Sequence, residues 1–323
     1  MAKETTIQGS AREAELSHLF KEVRDRPSGF RRAARMLRKN RIGIIGALVL
    51  LLVAGAAIFA PIIAPHDPDA ADITSRLTCP AFTSCPRYGT SETIEGSTNH
   101  LLGTDNLGRD ILSRLIYGAR VSLIVGITAV VLGAAAGSSL GLISGFYGGI
   151  ADSLIMRVGD IFLAFPYLLL AIAIVAVLGG GLLNVIIVLA IAGWVPYARL
   201  VRGSILSARE QEYVTAARAI GVRDSVLLAK HMLPNVLTPI IVYGTFAVAA
   251  TIIAEAGLSF LGLGVGTKIP TWGNMLSDGR AYISTAWWLA TIPGLAIMVT
   301  VLSINLIGDW LRDALDPQLR NIE

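Results

Sequence analysis

Along this chain, long uncharged apolar stretches alternate with short polar breaks. Residues 42–64 carry no charge over 23 positions. At about 1.5 Å rise per residue, a helix of that length crosses a hydrocarbon core of about 30 Å. Residues 121–146 form a second run, 161–178 and 182–198 a third and fourth, 236–254 a fifth and 281–308 a sixth. All exceed strand length, so the pattern predicts helices that span a bilayer and not a barrel. The expected fold is an all-α membrane protein with six transmembrane helices. Residues 1–41 form a basic tail, 42–64 the first helix and 65–120 a polar segment outside the membrane. Residues 121–310 form a core of five helices that includes a polar loop at 207–235, and 311–323 a short tail.

Details inside this pattern refine the expectation. Before the second span, Ile111, Leu112, Leu115 and Ile116 alternate with Arg109, Ser113 and Arg114, a helical stripe suited to lying on the membrane surface. Gly133, Gly137, Gly141 and Gly145 recur every four residues, with Gly126 read onto the same face. Such a stripe lets another helix backbone come close, whether from this chain or a partner. Residues 147–160 read as a short turn. Pro166 and Pro196 predict kinks, and Arg157, Asp160, Arg199 and Arg202 read as helix ends that snorkel to the surface. Glu255 interrupts the fifth span. An acidic residue there is a candidate pathway or gate residue; the preferred alternative is a hydrated position at the outer interface, capping the next short helix. The glycine-rich stretch 257–264 reads as a re-entrant or bent element, 267–280 as an outer loop, and Trp287 with Trp288 as an aromatic belt.

Composition agrees. The chain is 54% hydrophobic and 15% charged, against about 25% charged in soluble domains. The net charge of +4 fits basic loops at a cytoplasmic surface and not nucleic-acid binding. With six spans, 20 of the 27 Lys and Arg residues fall on the side holding both termini and the 207–235 loop, and 7 on the other. The excess predicts that the termini and that loop are cytoplasmic. Cys79 and Cys85, six positions apart in the outer segment, predict a small disulfide in an oxidising compartment, with two free thiols as the alternative. A zinc site is disfavoured, because only His66 and His100 lie near and their spacing fits no standard pattern.

The 207–235 loop holds the most distinctive stretch, Thr215 to Pro234. Ala216, Ala217 and Gly221 give it a nearly bare patch about one helical turn long, flanked by Arg218, Arg223, Asp224 and Lys230. It reads either as an ordinary polar loop or as a short helix that seats in a groove on another protein.

Its spacing resembles the coupling loop of ABC-importer permeases: two alanines, a glycine four residues on, and Leu233-Pro234. Thr215 stands where that loop has Glu, and His231 where it has Ile. Both departures resemble the dipeptide/oligopeptide/nickel branch, as do Tyr213-Val214-Thr215-Ala216-Ala217-Arg218-Ala219 and Lys230-His231-Met232-Leu233-Pro234-Asn235. His100 through Arg120, reading HLLGTDNLGRDILSRLIYGAR, resembles the signature of DppC/OppC-type subunits, and Trp272 through Pro317 continues the likeness. The resemblance implies a type I importer permease in a bacterial inner membrane. Tyr213, Thr215, Ala216, Ala217, Arg218, Gly221, Val222, Arg223 and Asp224 would then dock an ATPase. It further implies a heterodimer with a related permease, one or two ATPase subunits and an external binding protein. The implied cargo is a di- or oligopeptide, with nickel, glutathione or haem as alternatives.

Chemistry of its own is not expected. No lysine follows a glycine, so a P-loop is absent, and no hydrolase motif appears. The chain is therefore read as a non-catalytic subunit without cofactors, ATP and Mg being bound by the partner. The competing class, an ion-coupled secondary transporter, is disfavoured because the apolar runs hold only Glu255 and the interfacial Asp160.

Overall fold

A computed structural model describes residues 40–86 and 93–315. The basic cluster Arg31, Arg32, Arg35, Arg38 and Lys39 and the tail beyond 315 lie outside the described residues. The helices are α1 (Arg41–Ile58), α2 (Ala60–Ile63), α3 (Ile111–Tyr147), α4 (Gly149–Leu163), α5 (Tyr167–Leu178), α6 (Leu182–Arg209), α7 (Glu212–Ala219), α8 (Asp224–Val226), α9 (Leu233–Phe260), α10 (Trp272–Gly279) and α11 (Trp288–Leu315). One π turn, Leu227–Met232, joins α8 to α9. Among the described residues, five helices are long and apolar enough to cross a membrane, and α4 with α5 makes a sixth candidate bent by 90°.

Helix α3 departs from expectation. The stretch from Ile111 is no separate surface helix but the first turns of one 37-residue helix, about 55 Å long. Asp110 caps it by accepting the Ser113 backbone N–H at 2.7 Å, and nothing near Val121 interrupts it. Arg114 does not face water: it is 1% exposed and packs among Asp105, Asp278 and the Pro68 carbonyl.

The 147–160 turn is also corrected, because Gly149–Leu163 is helical. The chain breaks at Pro166, which lacks an N–H and blocks helical continuation, so the third span is a right-angled pair. Asp160 does not merely snorkel but pairs with Arg199 at 2.6 Å. Asp152 of α4 likewise accepts from two nitrogens of Arg202, Nε at 2.5 Å and Nη2 at 2.7 Å.

The glycine stripe packs within the chain. Gly133, Gly137, Gly141 and Gly145 are all buried and lie against Ala190, Trp194, Ala198, Val201, Arg202 and Ile205 of α6. The α3–α6 contact is the most extensive in the described fold. Gly126 is not part of that stripe; it meets Val248 and Ile252 of α9.

At one end of the bundle the polar segment folds back as a lid. Strand β1 (Ser84–Pro86) pairs antiparallel with β2 (Thr93–Glu95), and Cys79 and Cys85 are bonded, with Cα atoms 6.1 Å apart. Leu77, Cys79 and Cys85 are buried with Trp272 and Trp288. Trp288 is therefore no belt residue: it is 1% exposed and donates Nε1–H to the Thr104 carbonyl. Trp287 remains 41% exposed. Arg109 clamps the lid down by donating to Asp105 at 2.6 Å and Asp278 at 3.1 Å. Burial pushes the Asp278 carboxyl above the usual range, against the opposite pull of Arg109 and Arg114. The outer loop at 267–280 contains α10, capped by Thr271, and α11 starts at Trp288, seven residues later than the apolar run implied.

Candidate functional site

At the opposite end from the lid, α7 lies across the bundle. Val214 and Ala217, three residues apart, turn inward and join Phe146, Val201, Ile205, Leu227, Met232 and Val236 in one apolar cluster. The bare patch is therefore not the one read from sequence. Ala217 packs on the chain's own body, while Tyr213, Thr215, Ala216, Arg218, Ala219, Ile220, Gly221, Arg223 and Asp224 are exposed and Val222 is half-buried. Ile220, which the motif spacing passes over, is 81% exposed, a large apolar side chain among alanines and a glycine. Its signal was an isolated isoleucine in a polar loop. Arg218 lies 5.5 Å over the Phe146 ring, a cation–π contact that fixes one edge of this face.

Gly221 has a reason of its own. It takes φ +77°, its N–H bonds the Arg218 carbonyl at 3.0 Å, and the Val222 N–H bonds Ala217 at 3.1 Å. This is a Schellman cap, with Val222 packed over Ala217. The same pattern recurs at Gly262, where Leu263 bonds the Leu258 carbonyl, so the glycine-rich stretch at 257–264 is a helix cap rather than a re-entrant element. A Cβ at Gly221 would touch nothing, so Gly221→Ala is expected to cost about 1 kcal/mol through backbone strain alone. A melting curve of the purified protein should show Gly221→Asn less destabilised than Gly221→Ala, since Asn tolerates this region better.

Helices α3, α4, α5, α6 and α9 line a partly open cavity of about 230 Å³ with mainly apolar side chains, and Phe165, Tyr167, Tyr197, Tyr243 and Thr251 stand on its wall. Tyr197 and Tyr243 meet edge to face at 4.9 Å. The Tyr197 hydroxyl is buried with no hydrogen-bond partner among the described residues, so the cavity offers polar tips in an apolar wall. The sequence reading missed these tyrosines, although each is a polar atom set in an otherwise apolar run.

Glu255 is not hydrated at an interface and does not line this cavity. It is fully buried, accepting from Ser259 Oγ at 2.8 Å and Ser122 Oγ at 3.2 Å, and so joins α9 to α3. Glu255→Ala leaves both hydroxyls without an acceptor in apolar surroundings, which costs about 1–3 kcal/mol. Glu255→Gln keeps an acceptor. The alanine variant of the purified protein is expected to melt lower than the glutamine variant; equal melting temperatures would show that these bonds hold nothing.

Known proteins resemble this chain. Residues 137–321 match the family described as binding-protein-dependent transport system inner membrane component. Residues 28–80 match the N-terminal transmembrane domain of oligopeptide transport permease C. The di/tripeptide transport system permease protein DppC of Pseudomonas aeruginosa (strain UCBPP-PA14) is 44% identical over 295 residues, 91% of this chain and 94% of that protein. A dipeptide transport system permease DppC from Haemophilus influenzae is 43% identical, covering 88% of this chain and 92% of that protein. The glutathione transport system permease GsiD of Escherichia coli O6:K15:H31 is 43% identical, covering 88% and 89%. Among solved structures, a chain of the inward-facing MetNI methionine ABC transporter superposes with a TM-score of 0.52 at 19% identity, over 63% of this chain and 97% of that chain, a likeness of fold. With its glycine-locked helices, its capped end helix and these relatives, the chain belongs to the inner-membrane components of binding-protein-dependent transport systems, as a multi-pass permease of the ABC importer class.

Proposed function

We propose that this chain is one membrane half of an ATP-driven importer of short peptides, working with a related permease, an ATPase and an external binding protein. The observation that carries the reading is identity of 43–44% over about nine-tenths of the chain to permeases named for dipeptides and tripeptides. Glutathione, itself a tripeptide, is the second reading, favoured by the GsiD match. In this reading the α7 end faces the cytoplasm, which the excess of Lys and Arg on that side supports. Ile220 with Ala216, Ala219 and Gly221 seats in a groove of the ATPase, with Arg218, Arg223 and Asp224 at the rim. The α3–α6 pair, locked by its glycines, carries movement of α7 to the tyrosine-lined cavity as a rigid body. The cavity wall supplies hydroxyls to a passing peptide backbone without binding it tightly. ATP and Mg stay with the partner.

The test is uptake into proteoliposomes holding the reconstituted complex, its binding protein and internal ATP. Labelled dipeptide should accumulate only when ATP is present, and competition with glutathione ranks the two cargoes. Accumulation driven by an ion gradient without ATP, or purification of the chain with no ATPase attached, would overturn the importer reading. ATP-driven complexes that accumulate neither compound would overturn the peptide cargo alone.

A further inference from the structure

The lid brings two imidazoles and a carboxylate together at a place the transport reading does not use. His66 follows α2, His100 sits in the turn before Gly103, and Asp110 caps α3. Ligand atoms of the three lie within 4.8 Å of one another. His100 Nδ1 is 3.0 Å from Asp110 Oδ1, His66 Nδ1 is 3.8 Å from Asp110 Oδ2, and the two ring centroids are 4.8 Å apart. We propose that His66, His100 and Asp110 form a binding site for a divalent transition-metal ion of the zinc class.

The donor set decides the class. Two imidazole nitrogens and one carboxylate oxygen suit zinc and its neighbours, whereas magnesium and calcium take oxygen cages. Tetrahedral bonds of about 2.0–2.1 Å put neighbouring donors about 3.3 Å apart, and His100 Nδ1 stands 3.0 Å from Asp110 Oδ1, close to that separation. His66 is the more exposed of the two imidazoles, at 40%. That exposure leaves a fourth position for water. The carboxylate is oriented in advance: Asp110 Oδ2 accepts from the Ser113 backbone N–H and hydroxyl, each at 2.7 Å, and the Ser113 oxygen accepts the His66 backbone N–H at 3.0 Å. Such support from behind the ligands is a regular part of metal sites. The Asp110 side chain is 1% exposed, and the basic side chains within 4.0 Å of its carboxylate among the described residues are these two histidines. Sequence spacing concealed the site, because its ligands come from three separated parts of the lid. Cys79 and Cys85, bonded to each other, take no part. A metal here pins the exit of α1–α2 to the start of α3.

The test uses the intact complex carrying a tag without histidine, stripped with chelator and dialysed against Zn²⁺ or Co²⁺ alone. Wild type is expected to retain one additional equivalent of Zn²⁺ relative to His66→Ala and His100→Ala, and to give the visible bands of four-coordinate Co²⁺. Each substitution should weaken that equivalent by about 10- to 100-fold or more. His18→Ala should change nothing. Size-exclusion profiles identify variants that fail to fold, and His66→Gln, at an exposed position, replaces any that do. Equal metal content in wild type and the folded histidine variants would overturn the proposal, as would loss of the equivalent in His18→Ala with retention in His100→Ala.

Discussion

Gly141→Leu is expected to prevent this chain from accumulating as a folded membrane protein. A Cβ at position 141 would fall on the Ala198 carbonyl and Cα and on Val201 Cβ, and its neighbours Gly137 and Gly145 are also closely faced, by Trp194 and Tyr197 and by Arg202 and Ile205. Two of these obstacles are backbone, which no rotamer change can move. Overpacking of a filled site costs about 1–3 kcal/mol for an added methylene or two. A leucine here adds a full side chain, and in lipid no hydrophobic gain between helices offsets it, since helix association there relies on close approach of small residues. Position 55 makes the control: a Cβ on Gly55 of α1 meets nothing within 4 Å, and Gly55→Ala should be neutral or slightly stabilising, alanine being the better helix former. Detergent extraction followed by size-exclusion chromatography reads both. A monodisperse Gly141→Leu protein melting within about 2 °C of wild type would mean that the α3–α6 seam does not hold the fold together.

The second large effect is expected on coupling rather than folding. Ile220→Asp should leave yield and melting temperature near wild type, because the side chain is 81% exposed and outside the apolar cluster under α7. With the α7 face docking the ATPase as proposed, ATP-driven uptake should fall by about 30-fold or more, the consequence of losing about 2 kcal/mol at an interface anchor. Uptake and ATPase co-purification measured on the same preparation separate the two readings. Normal uptake with Ile220→Asp would place the docking contact elsewhere than on this face. Ala217→Asp is the informative contrast: Ala217 is packed inward, so that variant should lose stability as well as uptake.

The contrast between Ile220 and Ala217 shows how much the spacing of the loop could reveal. Two alanines and a glycine in a polar loop mark a short helix with a bare patch, and that much is local. Which alanine faces out depends on how α7 lies on Phe146 and Ile205, and those residues are 71 and 12 positions earlier in the chain. Gly221 shows the same limit: its place in the motif drew attention to docking, whereas its positive φ gives it a capping role that the sequence pattern had not separated.

What the sequence settled by itself is whatever hydropathy and chain length settle locally: a helical membrane protein, the six apolar runs, the polar loop between the fourth and fifth, and the family signatures. These follow from neighbouring residues, because an uncharged run of sufficient length has one stable solution in lipid. The tertiary structure decided everything that depends on which distant segments meet. It set the glycine stripe against α6, buried Glu255 between Ser122 and Ser259, drew Trp288 into the lid and gathered His66, His100 and Asp110. Each of those outcomes joins residues from separate elements, and no periodicity along one element carries information about its partner across the fold.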